Sequence, residues 1–211
     1  MTHPPRRIGR LHVVTDTTVQ KRYTHEEIAA LAVAGGARDI QLRDKRMHDE
    51  ELVATARRTL ALCADAGAVL IVNDRVEVAR VARAHGVHLG RADTPIAEAR
   101  ALLGPSVIIG ATAGTLTQAL EAQAAGADYV GFGHIFPTAS KHKSTPPVGL
   151  EGLREVCAAL RIPVIAIGGI TADNAADVLA AGAWGVAVIG AVCAAPDPEA
   201  AARALARATE A

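Results

Sequence analysis

The chain predicts a closed (β/α)8 TIM barrel, and three observations carry that prediction. Short β-branched apolar runs alternate with Ala-rich helical stretches from end to end, each kind occurs eight times, and a glycine-bearing break recurs where helices should stop. Strands that are apolar throughout are buried on both faces, which implies a parallel sheet covered by helices. Eight such units favour closure over an open doubly wound sheet, although 211 residues is fewer than the roughly 250 typical of this barrel.

Taken in order, the first strand falls at 11–14, and a helix over 26–34 ends at Ala34-Gly35-Gly36. The second strand, 39–42, leads to a helix over 49–66 that Gly67 closes before the third strand at 69–72. Helix 76–84 precedes strand 86–89, and helix 96–103 precedes strand 107–109. Helix 116–124 stops at Ala125-Gly126-Ala127, just before the sixth strand at 129–131. Helix 150–160 precedes strand 164–167, helix 172–181 runs into Ala181-Gly182-Ala183, the eighth strand occupies 185–189, and a helix over 198–208 closes the pattern. Each break is a glycine placed as a helix C-terminus wants it. No linker interrupts the series, so residues 1–211 read as a single domain.

Composition narrows the partners. A chain that is 50% hydrophobic and 21% charged can bury a full core. Acidic and basic residues balance at 22 each, which argues against nucleic acid or a membrane surface as partner, since both demand a basic excess. Aromatics at 2% leave no stacking platform for single strands. Cys63, Cys157 and Cys193 are widely spaced and odd in number, which fits buried thiols in a reducing cytoplasm. No apolar stretch of signal-peptide or membrane-span length follows Arg6, Arg7 and Arg10, so a cytoplasmic protein is expected. Homo-oligomerisation is left open.

In such a barrel, chemistry belongs at the C-terminal strand ends. Those ends are polar here: Thr15-Asp16, then Gln41, Arg43 and Lys45, then Asn73-Asp74, Gly90 to Asp93, and Gly110-Ala111-Thr112. The segment Gly131-Phe132-Gly133-His134-Ile135-Phe136-Pro137-Thr138-Ala139-Ser140-Lys141 follows the sixth strand. Its glycines admit close backbone approach, Pro137 stiffens the exit, and Thr138, Ser140 and Lys141 offer donors to phosphate oxygens. Of the four lysines, Lys45, Lys141 and Lys143 lie in such loops, while Lys21 does not.

Gln41 and Arg43, two apart, share one strand face and point at a ligand; the plainer reading of 41–45 is a charged strand edge with an internal ion pair. Asp74 and Asp93 offer hard oxygens suited to Mg²⁺, against a plainer role as caps of the helices near Arg75 and Pro95. Gly168-Gly169 and Gly190 match the phosphate site that many barrels form after strands seven and eight.

With these motifs in order, the chain resembles the thiamine phosphate synthase and thiazole tautomerase superfamily over nearly its whole length. The matching elements are Val14-Thr15-Asp16, Gln41-Leu42-Arg43-Asp44-Lys45, Val72-Asn73-Asp74-Arg75, Val87-His88-Leu89-Gly90 with Asp93, Phe136 to Lys141, and Ile167-Gly168-Gly169-Ile170. The resemblance implies that Gln41, Arg43, Lys45, Asn73 and Lys141 hold a hydroxymethylpyrimidine pyrophosphate, with Arg43, Lys45 and Lys141 acting on its leaving group. It implies Mg²⁺ at Asp74 and Asp93, a thiazole phosphate against Thr138 and Ser140, and its phosphate on Gly169, Ile189 and Gly190.

Some residues depart from the synthase pattern. Thr112 stands for a serine after the fifth strand, Ser140 for a threonine, and Ile189-Gly190-Ala191 for a Val-Ser-Ala step, which removes a hydroxyl. His134 replaces a proline and, like Leu11-His12, is similar to the tautomerase branch, where a histidine here is the general acid or base. The expectation is a synthase, because a tautomerase needs no pyrophosphate and no metal pair. The alternatives are a thiazole tautomerase using His134, or a non-catalytic barrel that binds a thiamine-related phosphate and regulates a partner.

Overall fold

Parallel strands can be joined only by long crossovers, and in this chain the crossovers are the Ala-rich helices. The computed structural model describes residues 8–138 and 145–210. Strands β1 (Leu11–Thr15), β2 (Asp39–Leu42), β3 (Val69–Asn73), β4 (Gly86–Leu89), β5 (Ile108–Ala113), β6 (Tyr129–Gly133), β7 (Val164–Ile167) and β8 (Gly185–Val188) pair in parallel in that order. β8 returns to β1, with Ala187 beside His12, and closes the barrel. The connecting helices are α1 (His25–Ala34), α2 (Asp49–Asp65), α3 (Val76–Ala82), α4 (Ile96–Leu103), α5 (Leu116–Ala124), α6 (Gly149–Ala159), α7 (Ala175–Ala180), α8 (Gly190–Cys193) and α9 (Pro198–Glu210).

The expected order of strands and helices is present, and the differences have local causes. α1 starts one residue early because Thr24 and Glu27 form a capping box, with the Thr24 N–H donating to Glu27 Oε2 at 2.8 Å. β5 continues through Gly110-Ala111-Thr112, so Thr112 lies in the strand and not in a loop after it. α7 begins later than predicted because Thr171 to Asn174 turn first, the Thr171 N–H donating to Asn174 Oδ1 at 2.9 Å. α8 was not foreseen, since four residues are too few to show a helical period. Gly36, Gly67, Gly126 and Gly182 all take left-handed φ after their helices, as the glycine breaks predicted.

Two cores result from the alternation of strand side chains. The outward residues, among them Val13, Leu42, Leu70, Val72, Phe132 and Val186, pack beneath Ile28, Leu52, Leu153, Val156 and Leu205 of the helices. Each such side chain contributes about 1.5–3 kcal/mol on burial. Inside the barrel, Ile71, Ile108, Tyr129, Ile165 and Ala187 form a smaller cluster. The Tyr129 ring fits because Gly110 stands beside it, where any Cβ would meet the ring, and Gly131 likewise makes room for His88.

Cys63 and Cys193 are buried and Cys157 half-buried; all three are unpaired, and burial pushes their thiols up to about 12, 11 and 11 respectively. They are inert packing groups. Among the described residues, no helix is long and apolar enough to cross a membrane.

Candidate active site

At the C-terminal end of the barrel opens a cavity of about 750 Å³. Gln41, Arg43, Lys45, Asn73, Asp74, Asp93, Thr112, His134, Thr138, Gly169, Ile189 and Gly190 all line it. Strand order alone brings them together, because each sits at or just past the end of its strand. Ser140 and Lys141 lie outside the described residues.

The charges on the β1 to β4 side are paired between loops. Arg43 Nη1 meets Asp16 Oδ2 from the end of β1, and Asp16 is almost fully buried. Asp16 is itself held by the Thr18 N–H at 2.8 Å. Among the described residues, Arg43 Nε is buried and has no hydrogen-bond partner. Lys45 Nζ lies 3.1 Å from Asp74 Oδ2. The plainer reading of 41–45 therefore fails: its charges reach to different loops instead of pairing with one another.

The capping reading of the two aspartates fails as well. Arg75 and Pro95 are the cap residues of α3 and α4, and neither helix has a side-chain cap. Asp74 takes a left-handed φ of 64°, at a cost of order 1 kcal/mol for a side chain with a Cβ. Asp93 Oδ2 accepts the Gly90 N–H at 2.6 Å, and its carboxyl also meets that of Asp74. Burial and the Asp74 carboxylate push the Asp93 carboxyl above its ordinary range, against the opposing pull of Gly90 N–H and Lys45. Two carboxylates in contact beside the Lys45 ammonium suit a divalent cation. Among the described residues no group of three or more His, Cys, Asp or Glu gathers for a metal, so a cation here would complete its shell with water and ligand oxygens, as Mg²⁺ does.

The cavity floor carries a linked set of polar groups among apolar ones. His88, on β4, links Tyr129 OH to its Nδ1 at 2.9 Å and Thr112 Oγ1 to its Nε2 at 2.9 Å. Burial, with Asp39 and Asp128 nearby, holds the Tyr129 phenol well above its ordinary range, so it stays protonated. Deeper still, His12 Nε2 lies 3.9 Å from Asp39 Oδ1, and burial raises the Asp39 carboxyl despite His12 and the Gly9 N–H. Tyr129 was missed in the sequence, yet its parity with Gly131 and Gly133 on β6 would have turned it inward.

Across the mouth the lining from β7 and β8 is uncharged and includes Gly168, Gly169 and Gly190. Gly168 and Gly169 take φ of 104° and 65° after β7. A Cβ at Gly168 would strike His134, whose Cα stands at 2.7 Å, and one at Gly169 would strike Phe136 Cβ at 2.7 Å. The β6 and β7 loops are thus packed against each other, with the Phe136 N–H donating to Gly168 O at 3.0 Å. His134 is buried at this junction and faces the cavity. Gly190, which opens α8, also lines the cavity.

The sequence profile of the thiamine monophosphate synthase family matches residues 11–192. The thiamine-phosphate synthase of Methanoculleus marisnigri is 51% identical over 195 residues, 92% of each chain. That of Salinibacter ruber is 50% identical over 192 residues, 91% of this chain and 85% of its own. A solved thiamine phosphate pyrophosphorylase from Pyrococcus furiosus superposes with a TM-score of 0.87 at 40% identity, covering 95% of both chains. By profile, by relatives and by barrel, the chain belongs to the thiamine monophosphate synthase family.

Proposed function

We infer that the chain is a thiamine-phosphate synthase, joining hydroxymethylpyrimidine pyrophosphate to a thiazole phosphate with release of pyrophosphate. The observation that carries this reading is the convergence of Arg43, Lys45, Asp74 and Asp93 on one side of a cavity of about 750 Å³. Isomerisation at His134, or phosphate binding without turnover, would leave that charge set without use.

A departing pyrophosphate gathers negative charge, so groups that meet it more strongly in the transition state accelerate the step. Arg43 brings a guanidinium that lines the cavity, and Lys45 brings an ammonium now resting on Asp74. Gln41 and Asn73 offer amides to the pyrimidine pyrophosphate, and Lys141 a further cation. Mg²⁺, held by Asp74 and Asp93 when bound, would neutralise pyrophosphate oxygens. Departure leaves an electron-poor exocyclic carbon, which the thiazole nitrogen captures while Thr138, Ser140 and the backbone at Gly169, Ile189 and Gly190 orient its phosphate. Thr112, engaged with His88, borders the pyrimidine. No protein nucleophile is needed. The same reading places the protein in the cytoplasm, acting on small phosphorylated molecules.

The test is to incubate the purified protein with both substrates, with and without Mg²⁺, and to quantify thiamine phosphate and pyrophosphate. Equal amounts of the two products, formed only with Mg²⁺, are expected. Absence of thiamine phosphate would overturn the reading.

A further inference from the structure

Asp44 stands between Arg43 and Lys45 yet does not line the cavity. Its side chain is only 8% exposed. Oδ1 accepts the N–H groups of Arg46 at 2.7 Å and Met47 at 2.9 Å, which closes the loop on itself. Oδ2 accepts from Thr17 Oγ1 at 3.3 Å and from His25 Nε2 at 3.2 Å. The Asp44 carbonyl accepts from Arg75 Nη2 at 3.4 Å, and Arg75 follows Asp74.

His25 completes the connection. It is buried, and its Nδ1 lies 2.7 Å from Thr15 Oγ1, the residue before Asp16. A carboxylate can only accept, so the proton on Nε2 points to Asp44. As the first residue of α1, a histidine gains nothing from the helix dipole, which favours anions there. Its bonds lead instead to the end of β1 and to the β2 to α2 loop, which carry Asp16, Arg43 and Lys45, and Lys45 in turn meets Asp74 after β3.

We propose that His25 and Asp44 are positioning residues that hold Arg43 and Lys45 in place before a pyrophosphate group arrives. The role rests on the synthase reading. A flexible lysine and arginine ordered only on binding would cost affinity for the leaving group; a loop fixed beforehand avoids that cost.

His25→Asn keeps a polar atom near Nδ1 but loses the reach to Asp44, whereas His25→Gln places an amide N–H near Nε2. Kinetics, thermal midpoints and pyrophosphate binding by calorimetry in Mg²⁺ are measured for both variants and the unaltered protein. The Asn variant should lose about tenfold or more in kcat/KM for the pyrimidine pyrophosphate. Its KM for thiazole phosphate should stay unchanged, its pyrophosphate affinity should fall about as far, and the Gln variant should retain most of both. Equal losses in the two variants, losses shared by both substrates, or no loss in either would overturn the proposal. If the unaltered protein makes no thiamine phosphate, the synthase reading fails, and the calorimetric comparison still decides this one. If it binds no pyrophosphate, both fall.

Discussion

The mouth of the cavity is built in two ways. From β1 to β4 the lining is charged side chains, Arg43 tied to Asp16, Lys45 to Asp74 and Asp74 to Asp93, with each partner on a different loop. At β7 and β8 it is uncharged, with Gly168, Gly169, Ile189 and Gly190 among its residues. The first side is adjustable in strength and sensitive to charge. The second is fixed by packing and sensitive to volume. Under the synthase reading this division suits the two substrates: the bond-breaking pyrophosphate meets charges that respond to its developing charge, and the thiazole phosphate, which changes little, meets a rigid cradle.

Asp93→Asn is the largest expected break in that picture. It removes one of two like charges, so the thermal midpoint should hold or rise, while kcat/KM for coupling falls by about 100-fold or more and stimulation by Mg²⁺ disappears. Wild-type turnover in this variant would remove the charged side from the mechanism.

Gly169→Ala probes the opposite side. A Cβ there is set in the left-handed region and pressed on Phe136 and Pro137, so a stability loss of about 2 to 3 kcal/mol is expected by chemical denaturation. The KM for thiazole phosphate should rise while pyrophosphate affinity stays unchanged. A weakened pyrophosphate site in this variant would mean that the two sides are not separate.

Much of this division was legible in the sequence, and the reason is topological. A barrel delivers every strand end to one face, so Gln41, Arg43, Asn73, Asp74, Asp93 and Gly169 could be placed in one site without knowing any contact. Pairings between loops were not legible: nothing in the spacing of Asp16 and Arg43, or of His25 and Asp44, marks them as partners. The capping reading of Asp74 and Asp93 failed because an aspartate before a helix looks the same whether it bonds the helix or turns away with a positive φ, as Asp74 does. The end of β5 was lost because Gly110-Ala111 carries no strand signal of its own.

Asp44→Asn separates the sides by pH. Burial alone would raise the Asp44 carboxyl, but the N–H groups of Arg46 and Met47 and the His25 ring outweigh it and hold it at about 2, below the ordinary 3.8. A carboxyl lowered on folding stabilises above its unfolded value and loses that contribution as pH falls through its folded one. The variant should therefore unfold about 2 kcal/mol more easily near neutral pH, with the gap closing between about pH 4 and pH 2. The Gly169→Ala deficit, which involves no titrating group, should stay constant over the same range. A gap for Asp44→Asn that does not close would refute its assignment as a stabilised carboxylate.

The smallest effect is expected where the two sides meet on β5. Thr112 faces the cavity, yet its hydroxyl is already engaged by His88 Nε2 at 2.9 Å. Serine preserves that bond and removes only a methyl, so Thr112→Ser should change kcat/KM by less than about threefold. Valine preserves the shape and removes the bond, which takes one partner from a half-buried imidazole and costs about 1 kcal/mol of stability. Because His88 also holds the Tyr129 hydroxyl, the loss should pass into the barrel floor and appear first in the KM for the pyrimidine substrate. Steady-state kinetics of the two variants measure this directly. If Thr112→Ser proved worse than Thr112→Val, the methyl and not the hydroxyl would be the group that matters, and Thr112 would belong to the volume-sensitive side of the mouth.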